Sequence, residues 1–228
     1  MINDPVVLRR PASQWPAASS DQPVVIIVDD DAAVRGAVQN LMSSVGMECL
    51  AFASTSELLA TKVLERPGCL VLDVRMPGSS GLDLQRHLAA NGNPKPIVFL
   101  TGHGDIPMSV EAMKAGAIDF LTKPVRDQTL LDAVITGINR DLAYRANALA
   151  VRRSVERFEK LTPRERQVLH EVARGRVNKQ IAFDLGISEV TVKLHRSNVM
   201  RKMTASSIGD LIRIWESLPT LTREACAA

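Results

Sequence analysis

Five polar residues of this chain share one local setting, each near the end of a short apolar run. Asp29 and Asp30 follow Val24–Val28, Asp73 follows Cys69–Leu72 and Thr101 follows Ile97–Leu100. Lys123, itself followed by Pro124, comes just after Ile118–Leu121. An aspartate in such a place is, taken alone, more often a helix cap or turn residue than a reactive group. The repeated placement points to a single site. Three carboxylates brought together repel and raise one another's pKa. A hard cation with oxygen ligands removes that conflict, and Mg²⁺, which keeps several waters, suits a site of few carboxylates. With Lys123 and the Thr101 hydroxyl added, the set becomes an electrophilic clamp for a phosphoryl group.

A second set lies toward the C-terminus. Glu189–Met203 reads as a helix, separated by Gly186-Ile187-Ser188 from a shorter helical stretch, Asn178–Leu185. Two short helices joined by a tight turn containing Gly form a helix-turn-helix. In the second helix Val190 and Leu194, with Val199 or Met203, are expected to face the core. That leaves Thr191, Lys193, His195, Arg196, Ser197, Arg201 and Lys202 for solvent or DNA. Thr191, Lys193 and Ser197 are candidates for base edges or nearby phosphates. Lys179, at the start of the preceding helix, and Lys202 are candidates for phosphates, which position a protein without reading sequence.

The elements that must hold these residues follow from periodicity. Val24–Val28 is apolar on both faces, as a central parallel strand covered by helices requires. Further strands are expected at Glu48–Phe52, Cys69–Leu72, Ile97–Leu100 and Ile118–Leu121, alternating with helices at Ala32–Val45, Ser56–Leu64, Gly81–Ala90 and Met108–Ala115. Such alternation implies an α/β fold, a doubly wound five-stranded parallel sheet with right-handed crossovers. Ligands of such sheets bind at the carboxyl ends of the strands, where all five polar residues fall. A fifth helix from Gln128 runs on as a charged helical linker to about Glu159. Beyond it Thr162-Pro163 with Glu165 has the form of a capping box, and four helices follow, an all-α unit. The expected organisation is a tail over 1–22, an α/β domain over 23–140, a linker over 141–159, the helix-turn-helix domain over 160–217 and a tail over 218–228. Both tails read as disordered, with Trp15 in the first as a candidate partner contact.

Composition agrees with two domains and excludes several classes. The 228 residues carry a net charge of +3 that is unevenly spread. Residues 1–150 hold 13 Lys/Arg against 16 Asp/Glu, and residues 151–228 hold 15 against 9. An acidic part joined to a basic one suggests different partners, the second being nucleic acid. No apolar stretch approaches a membrane span, and the first 22 residues lack the apolar core of a signal peptide. Cys49, Cys69 and Cys226 are odd in number and lack metal-site spacing, so a reduced, cytoplasmic protein is expected.

The motifs V-D-D-D, L-D-V-R-M-P-G-S-S-G, L-T-G-H-G-D and D-F-L-T-K-P, in that order, resemble the receiver domain of bacterial two-component response regulators. L-T-P-R-E-R-Q-V-L with N-K-Q-I-A-F-D-L-G-I-S-E-V-T-V-K-L-H-R resembles a LuxR-type helix-turn-helix. Together they resemble the FixJ/NarL class, and T-G-H-G-D-I-P-M-S-V-E-A-M-K-A-G-A is similar to its FixJ branch. The resemblance covers about residues 23 to 217 and implies a flavodoxin-like sheet of order 2-1-3-4-5. It makes Asp73 the phospho-acceptor from a sensor histidine kinase. Asp30 and Asp73 would ligate Mg²⁺ directly, Asp29 through water, and the backbone carbonyl of Arg75 would join them. Thr101 and Lys123 would hold the phosphoryl group, and Phe120 with Thr101 would form the switch. The resemblance further implies a homodimer formed on phosphorylation through Met108–Ala115, Phe120 and Arg126–Asp132, and binding to paired half-sites in double-stranded promoter DNA. RNA polymerase is a candidate further partner. Val125 departs from the family, which often has an aromatic there.

Three functions are weighed. The first is a phosphorylation-switched transcription factor that is not an enzyme beyond its own phosphorylation and slow dephosphorylation. The second is a Mg²⁺-dependent phosphatase, disfavoured because Arg75 stands where a second carboxylate would be needed. The third is a phosphorylation-independent DNA-binding regulator with a constitutively dimeric receiver.

Overall fold

The computed structural model describes residues 22–102 and 104–224. The expectation of a disordered N-terminal tail, with its Trp15, lies outside them. Contacts divide the chain after Arg145 into two compact units.

The first unit holds five strands: β1 (Val24–Val28), β2 (Glu48–Phe52), β3 (Gly68–Leu72), β4 (Ile97–Thr101) and β5 (Asp119–Thr122). All pair in parallel, in the order β2-β1-β3-β4-β5. Side chains alternate between the faces of a strand, and here both faces are covered. Val24, Ile26 and Val28 pack into one apolar layer with Leu58, Leu84 and Ala112. Val25 and Ile27 pack into the other with Met42, Leu130 and Val134. The first layer is supplied by α2 (Thr55–Leu59), α3 (Gly81–Ala90) and α4 (Ile106–Lys114), the second by α1 (Ala32–Ser44) and α5 (Asp127–Glu159). Val125 lies against the second layer, half-buried.

Most boundaries fall within a residue of the sequence expectation, and the larger departures have local causes. The helix expected over Ser56–Leu64 stops at Leu59 and resumes as a single 3-10 turn, Val63–Glu65. Thr61 interrupts it: its hydroxyl donates to the Leu58 carbonyl at 2.7 Å and accepts from Val63 N at 3.4 Å, a local alternative to helical pairing. The α4 helix starts at Ile106 rather than Met108, because Asp105 caps it and Pro107 fits its first turn. Residues 218–228, expected as tail, are partly built in. Leu218 is buried and Thr220–Glu224 form the short helix α10.

The second unit packs α6 (Pro163–Ala173), α7 (Asn178–Leu185), α8 (Glu189–Met203) and α9 (Ile208–Ser217) around Val168, Leu169, Ile181, Val192, Met203 and Trp215. Phe158, at the end of α5, joins that core. Gly186 takes the left-handed conformation (φ 63°) that closes α7, and Ser188 caps α8 by accepting from Thr191 N at 3.1 Å. That turn sets the angle between the two helices.

Candidate functional site

Register brings the acidic residues together. Val28 is paired with Leu72 across β1 and β3, so Asp29 and Asp73 leave the sheet side by side. The order of strands reverses about this pair, making it the topological switch point. Asp29 and Asp73 are buried and Asp30 is exposed, with carboxylate oxygens of all three within 4.8 Å of one another. Two adjacent strands on the other side complete the group. Thr101 ends β4, is buried and is paired with Thr122, so Lys123 comes next to it.

Lys123 is the positive charge that this cluster needs. Its Nζ donates to Asp29 Oδ2 at 2.5 Å and to Asp73 Oδ2 at 3.0 Å. Burial works against its charge, but the two carboxylates outweigh burial and raise its pKa. The Lys123-Pro124 peptide is cis. Asp29 is held from two further sides. Its Oδ1 accepts from Asp31 N at 2.9 Å, and its carbonyl accepts from Arg35 Nη1 at 2.7 Å. Asp73 Oδ1 accepts from Arg75 N at 3.2 Å, which puts the Arg75 backbone at the site while the rest of Arg75 is exposed. Asp31 caps α1, accepting from Ala33 N at 2.8 Å. The oxygen-only donor set, with two buried carboxylates and one open to solvent, fits a hard divalent cation such as Mg²⁺.

Two glycines that motif reading passed over shape the site. A Cβ at Gly81 would lie 2.2 Å from the Asp73 carbonyl oxygen, so α3 starts against the backbone of Asp73. A Cβ at Gly104 would lie 2.6 Å from Phe120 Cε1 and 3.4 Å from Thr101 Cγ2. Gly104 thus leaves the room in which the half-buried Phe120 ring sits beside Thr101. The signal was present as a second glycine in T-G-H-G-D, but its spatial partner was not legible.

In the second unit the face of α8 differs from the one expected. Val190 is 75% exposed and Leu194 is 60% exposed, and the buried residues are Val192, Val199 and Met203. At about 100° per residue, positions nine apart lie on opposite sides of a helix. Val190 and Val199 therefore cannot both face the core. The exposed stripe is Val190, Lys193, Leu194, Ser197 and Arg201. Lys193 and Ser197 stand on it as open groups. Thr191 is half-buried, its hydroxyl against Ser188 Oγ at 2.9 Å. Lys179 is exposed at the first turn of α7. Arg196 is half-buried and donates to Asn178 Oδ1 at 2.6 Å, tying α8 to the start of α7.

Lys202 is turned inward, against its expected role on phosphate. Its Nζ donates to Glu165 Oε2 at 2.6 Å and to the Lys160 carbonyl at 3.3 Å. Glu165 is also the capping-box partner of Thr162, accepting from Thr162 N at 2.9 Å. Burial opposes its charge, and Lys202 with Thr162 overcomes this and lowers its pKa below the ordinary 4.5. Removing the partner of a buried charge costs about 3–5 kcal/mol. Lys202 is itself a quarter exposed, so we expect Lys202→Met to destabilise the second unit by about 2 kcal/mol. Urea unfolding checks this. Glu165 also contributes a pH dependence. Below about pH 4.5 the unfolded chain binds the proton that folded Glu165 refuses, so stability falls as pH falls. Glu165→Gln should flatten that part of the profile.

Known proteins repeat this architecture. Residues 25–135 match the family model for the response regulator receiver domain. Residues 159–215 match that for bacterial regulatory proteins of the luxR family. Nodulation protein W of Bradyrhizobium diazoefficiens is 50% identical over 200 residues, 88% of each chain. Response regulator protein TodT of Pseudomonas putida is 50% identical over 195 residues, 86% of each chain. Transcriptional regulatory protein FixJ of Bradyrhizobium diazoefficiens is 41% identical over 191 residues, 83% of this chain and 93% of FixJ. Among solved structures, response regulator StyR superposes with a TM-score of 0.76 at 48% identity, covering 85% of this chain and 98% of StyR. Full-length FixJ from B. japonicum gives 0.54 at 37% identity, covering 86% and 97%.

Proposed function

The chain belongs to the response regulators that join a receiver domain to a LuxR-type DNA-binding domain, and on that footing we propose that it is a phosphorylation-switched transcription factor acting in the cytoplasm. The observation that carries this reading is the Lys123 ammonium shared between Asp29 and Asp73 at the switch point of the sheet.

Asp73 is the nucleophile. Its carboxylate attacks the phosphorus of a phosphohistidine on a sensor kinase; the new P–O bond replaces the P–N bond, and the imidazole leaves. Lys123 is already in contact with Asp73 Oδ2, so it can pair with a phosphoryl oxygen there without a large rearrangement. Asp30, Asp73, Asp29 and the Arg75 backbone would hold Mg²⁺, which when bound offsets the negative charge that gathers on the phosphoryl oxygens. The acyl phosphate carries nearly two negative charges in place of the single charge of the carboxylate, and adds strong acceptor oxygens. Thr101 is the hydroxyl at the neighbouring strand end, with the Phe120 ring packed beside it over Gly104. A shift of Thr101 toward the phosphoryl group would open space for that ring, linking Asp73 chemistry to β5 and α4.

The proposed output is a homodimer. Ile106, Val110 and Met113 lie on one side of α4 and are 79%, 44% and 45% exposed. An apolar stripe of this kind marks an interaction face. We expect Val110→Glu to abolish dimerisation on addition of a small phosphodonor while leaving labelling of Asp73 intact. Sedimentation of the labelled protein tests this, and a labelled variant that still dimerises would remove α4 from the interface.

In the DNA-binding domain, α8 is the recognition helix. Lys193 and Ser197 can reach base edges or phosphates, and Val190 and Leu194 can meet thymine methyl groups. Lys179 is placed for a phosphate. Thr191 and Arg196 serve the turn and the α7–α8 contact first. A gel shift on promoter DNA, with and without phosphodonor, tests the reading as a whole. The competing reading, a constitutively dimeric regulator, requires equal affinity in both lanes.

A further inference from the structure

The receiver carries a second polar cluster at the end of the sheet away from Asp73. Asp141 of α5 and Lys95, just before β4, are buried, their side chains 2% and 0% exposed. One oxygen, Asp141 Oδ2, accepts from Gly68 N at 2.8 Å and from Arg145 Nε at 2.8 Å, and lies 3.9 Å from Lys95 Nζ. Lys95 Nζ donates to the Arg66 carbonyl. Arg145 spreads its other nitrogens onto the Glu65 carbonyl at 2.8 Å and the Arg66 carbonyl at 3.0 Å. The cluster therefore ties α5 to the segment entering β3 and to the one entering β4.

The surrounding backbone leaves this cluster little freedom. A Cβ at Gly68 would lie 1.9 Å from the Val24 carbonyl oxygen, so β3 begins hard against β1. A Cβ at Gly137 would lie 2.5 Å from Cys69 Sγ, so α5 runs close over β3 one turn before Asp141. Burial pushes Lys95 down to about 8 and Cys69 up to about 12, signs of a dry environment. Immediately after Arg145 the setting changes. Ala146, Asn147, Ala148, Leu149 and Ala150 are all exposed, although the helix continues through them to Glu159. A stretch held by helical pairing alone opens easily.

Buried ion pairs are poor sources of net stability, often no better than an apolar pair of the same size, while a fully paired set fixes one geometry. We propose that Lys95, Asp141 and Arg145 form a clamp that sets where the receiver's hold on the interdomain helix ends, so that α5 unwinds from Ala146 onward but not before it. The clamp is a conformational device built from three residues that the phosphoryl chemistry does not use, and it stands whether or not Asp73 is the phospho-acceptor.

Hydrogen exchange followed by mass spectrometry on the full chain tests it. Arg145→Ala removes one arm without stranding a buried charge, so the variant is expected to fold. Amides of residues 138–145 should exchange at least tenfold faster than in the parent, with those of β1 and β3 unchanged. A Lys95→Met, Asp141→Leu double variant keeps the site filled but cuts the ties to Gly68 N and Arg145. It should release the same segment. Unchanged exchange over 138–145 in both variants would overturn the clamp, as would acceleration shared equally with β1 and β3, which is ordinary loss of stability.

Discussion

Asp73→Asn is expected to abolish incorporation of phosphate from acetyl phosphate in the presence of Mg²⁺. Asn matches Asp in size, and its one amide oxygen can still accept from Arg75 N, while the NH₂ that replaces Oδ2 gives up the contact to Lys123 Nζ, which keeps Asp29. Its amide oxygen carries no full charge and does not form an acyl phosphate, so the nucleophile is lost while the fold is kept. Losing a nucleophile of this kind costs on the order of a thousandfold or more, which takes labelling to background. Asp29 and Asp30 do not rescue it. Asp29 is committed to Lys123 and to Asp31 N, and Asp30 is exposed and without the Lys123 contact. Phosphorus-labelled donor and acid-stable gel analysis check this. Label retained in the variant would remove Asp73 from its role.

Lys193→Ala is expected to weaken binding to promoter DNA by roughly 5- to 150-fold, the range for losing one base-directed contact. Lys193 is on the exposed stripe of α8 and makes no side-chain hydrogen bond or ion pair among the described residues, whereas Lys202 on the same helix is tied to Glu165. The salt dependence decides which contact is lost. A phosphate contact lowers the log–log salt slope by about one and weakens all sequences alike. A base contact weakens the specific site more than random DNA. Lys202→Met gives the contrast: reduced stability of the domain, with little change in the affinity of the folded fraction. Fluorescence anisotropy at several salt concentrations measures both. A Lys193 variant with unchanged affinity would mean that α8 is not the reading helix.

The sheet was legible because its inner strands are buried on both faces, so Val24–Val28 and Ile97–Leu100 stand out as unbroken apolar runs. The acidic site was legible for a related reason. One polar residue at a strand end is ordinarily a cap or turn residue, but the placement recurs on four strands, and parallel register carries the set to one edge. What failed was information that depends on phase or on distant partners. The phase of α8 rests on Val192, Val199 and Met203, spaced seven and four apart, and the nearer pair Val190 and Leu194 masked it. Lys202 looked like one more basic residue on a basic helix until Glu165, 37 positions away, supplied its partner. Lys95 sits between two prolines and nothing local marks it as buried. Contacts divide the chain after Arg145 rather than at the expected 140, and Asp141 and Arg145, in the stretch between, carry bonds to Gly68 N and to the Glu65 and Arg66 carbonyls that no local pattern announces.

The proposed switch requires that the charge placed on Asp73 change how well α8 meets DNA. The direct measurement is the affinity of the full chain for its promoter, with and without phosphodonor, in the parent and in Asp73→Asn. The donor is expected to tighten binding about tenfold or more, about 1.4 kcal/mol, in the parent alone, with the variant staying at the unphosphorylated value. Equal affinity with and without donor in a parent shown to be labelled would contradict it and leave a regulator that binds DNA irrespective of Asp73.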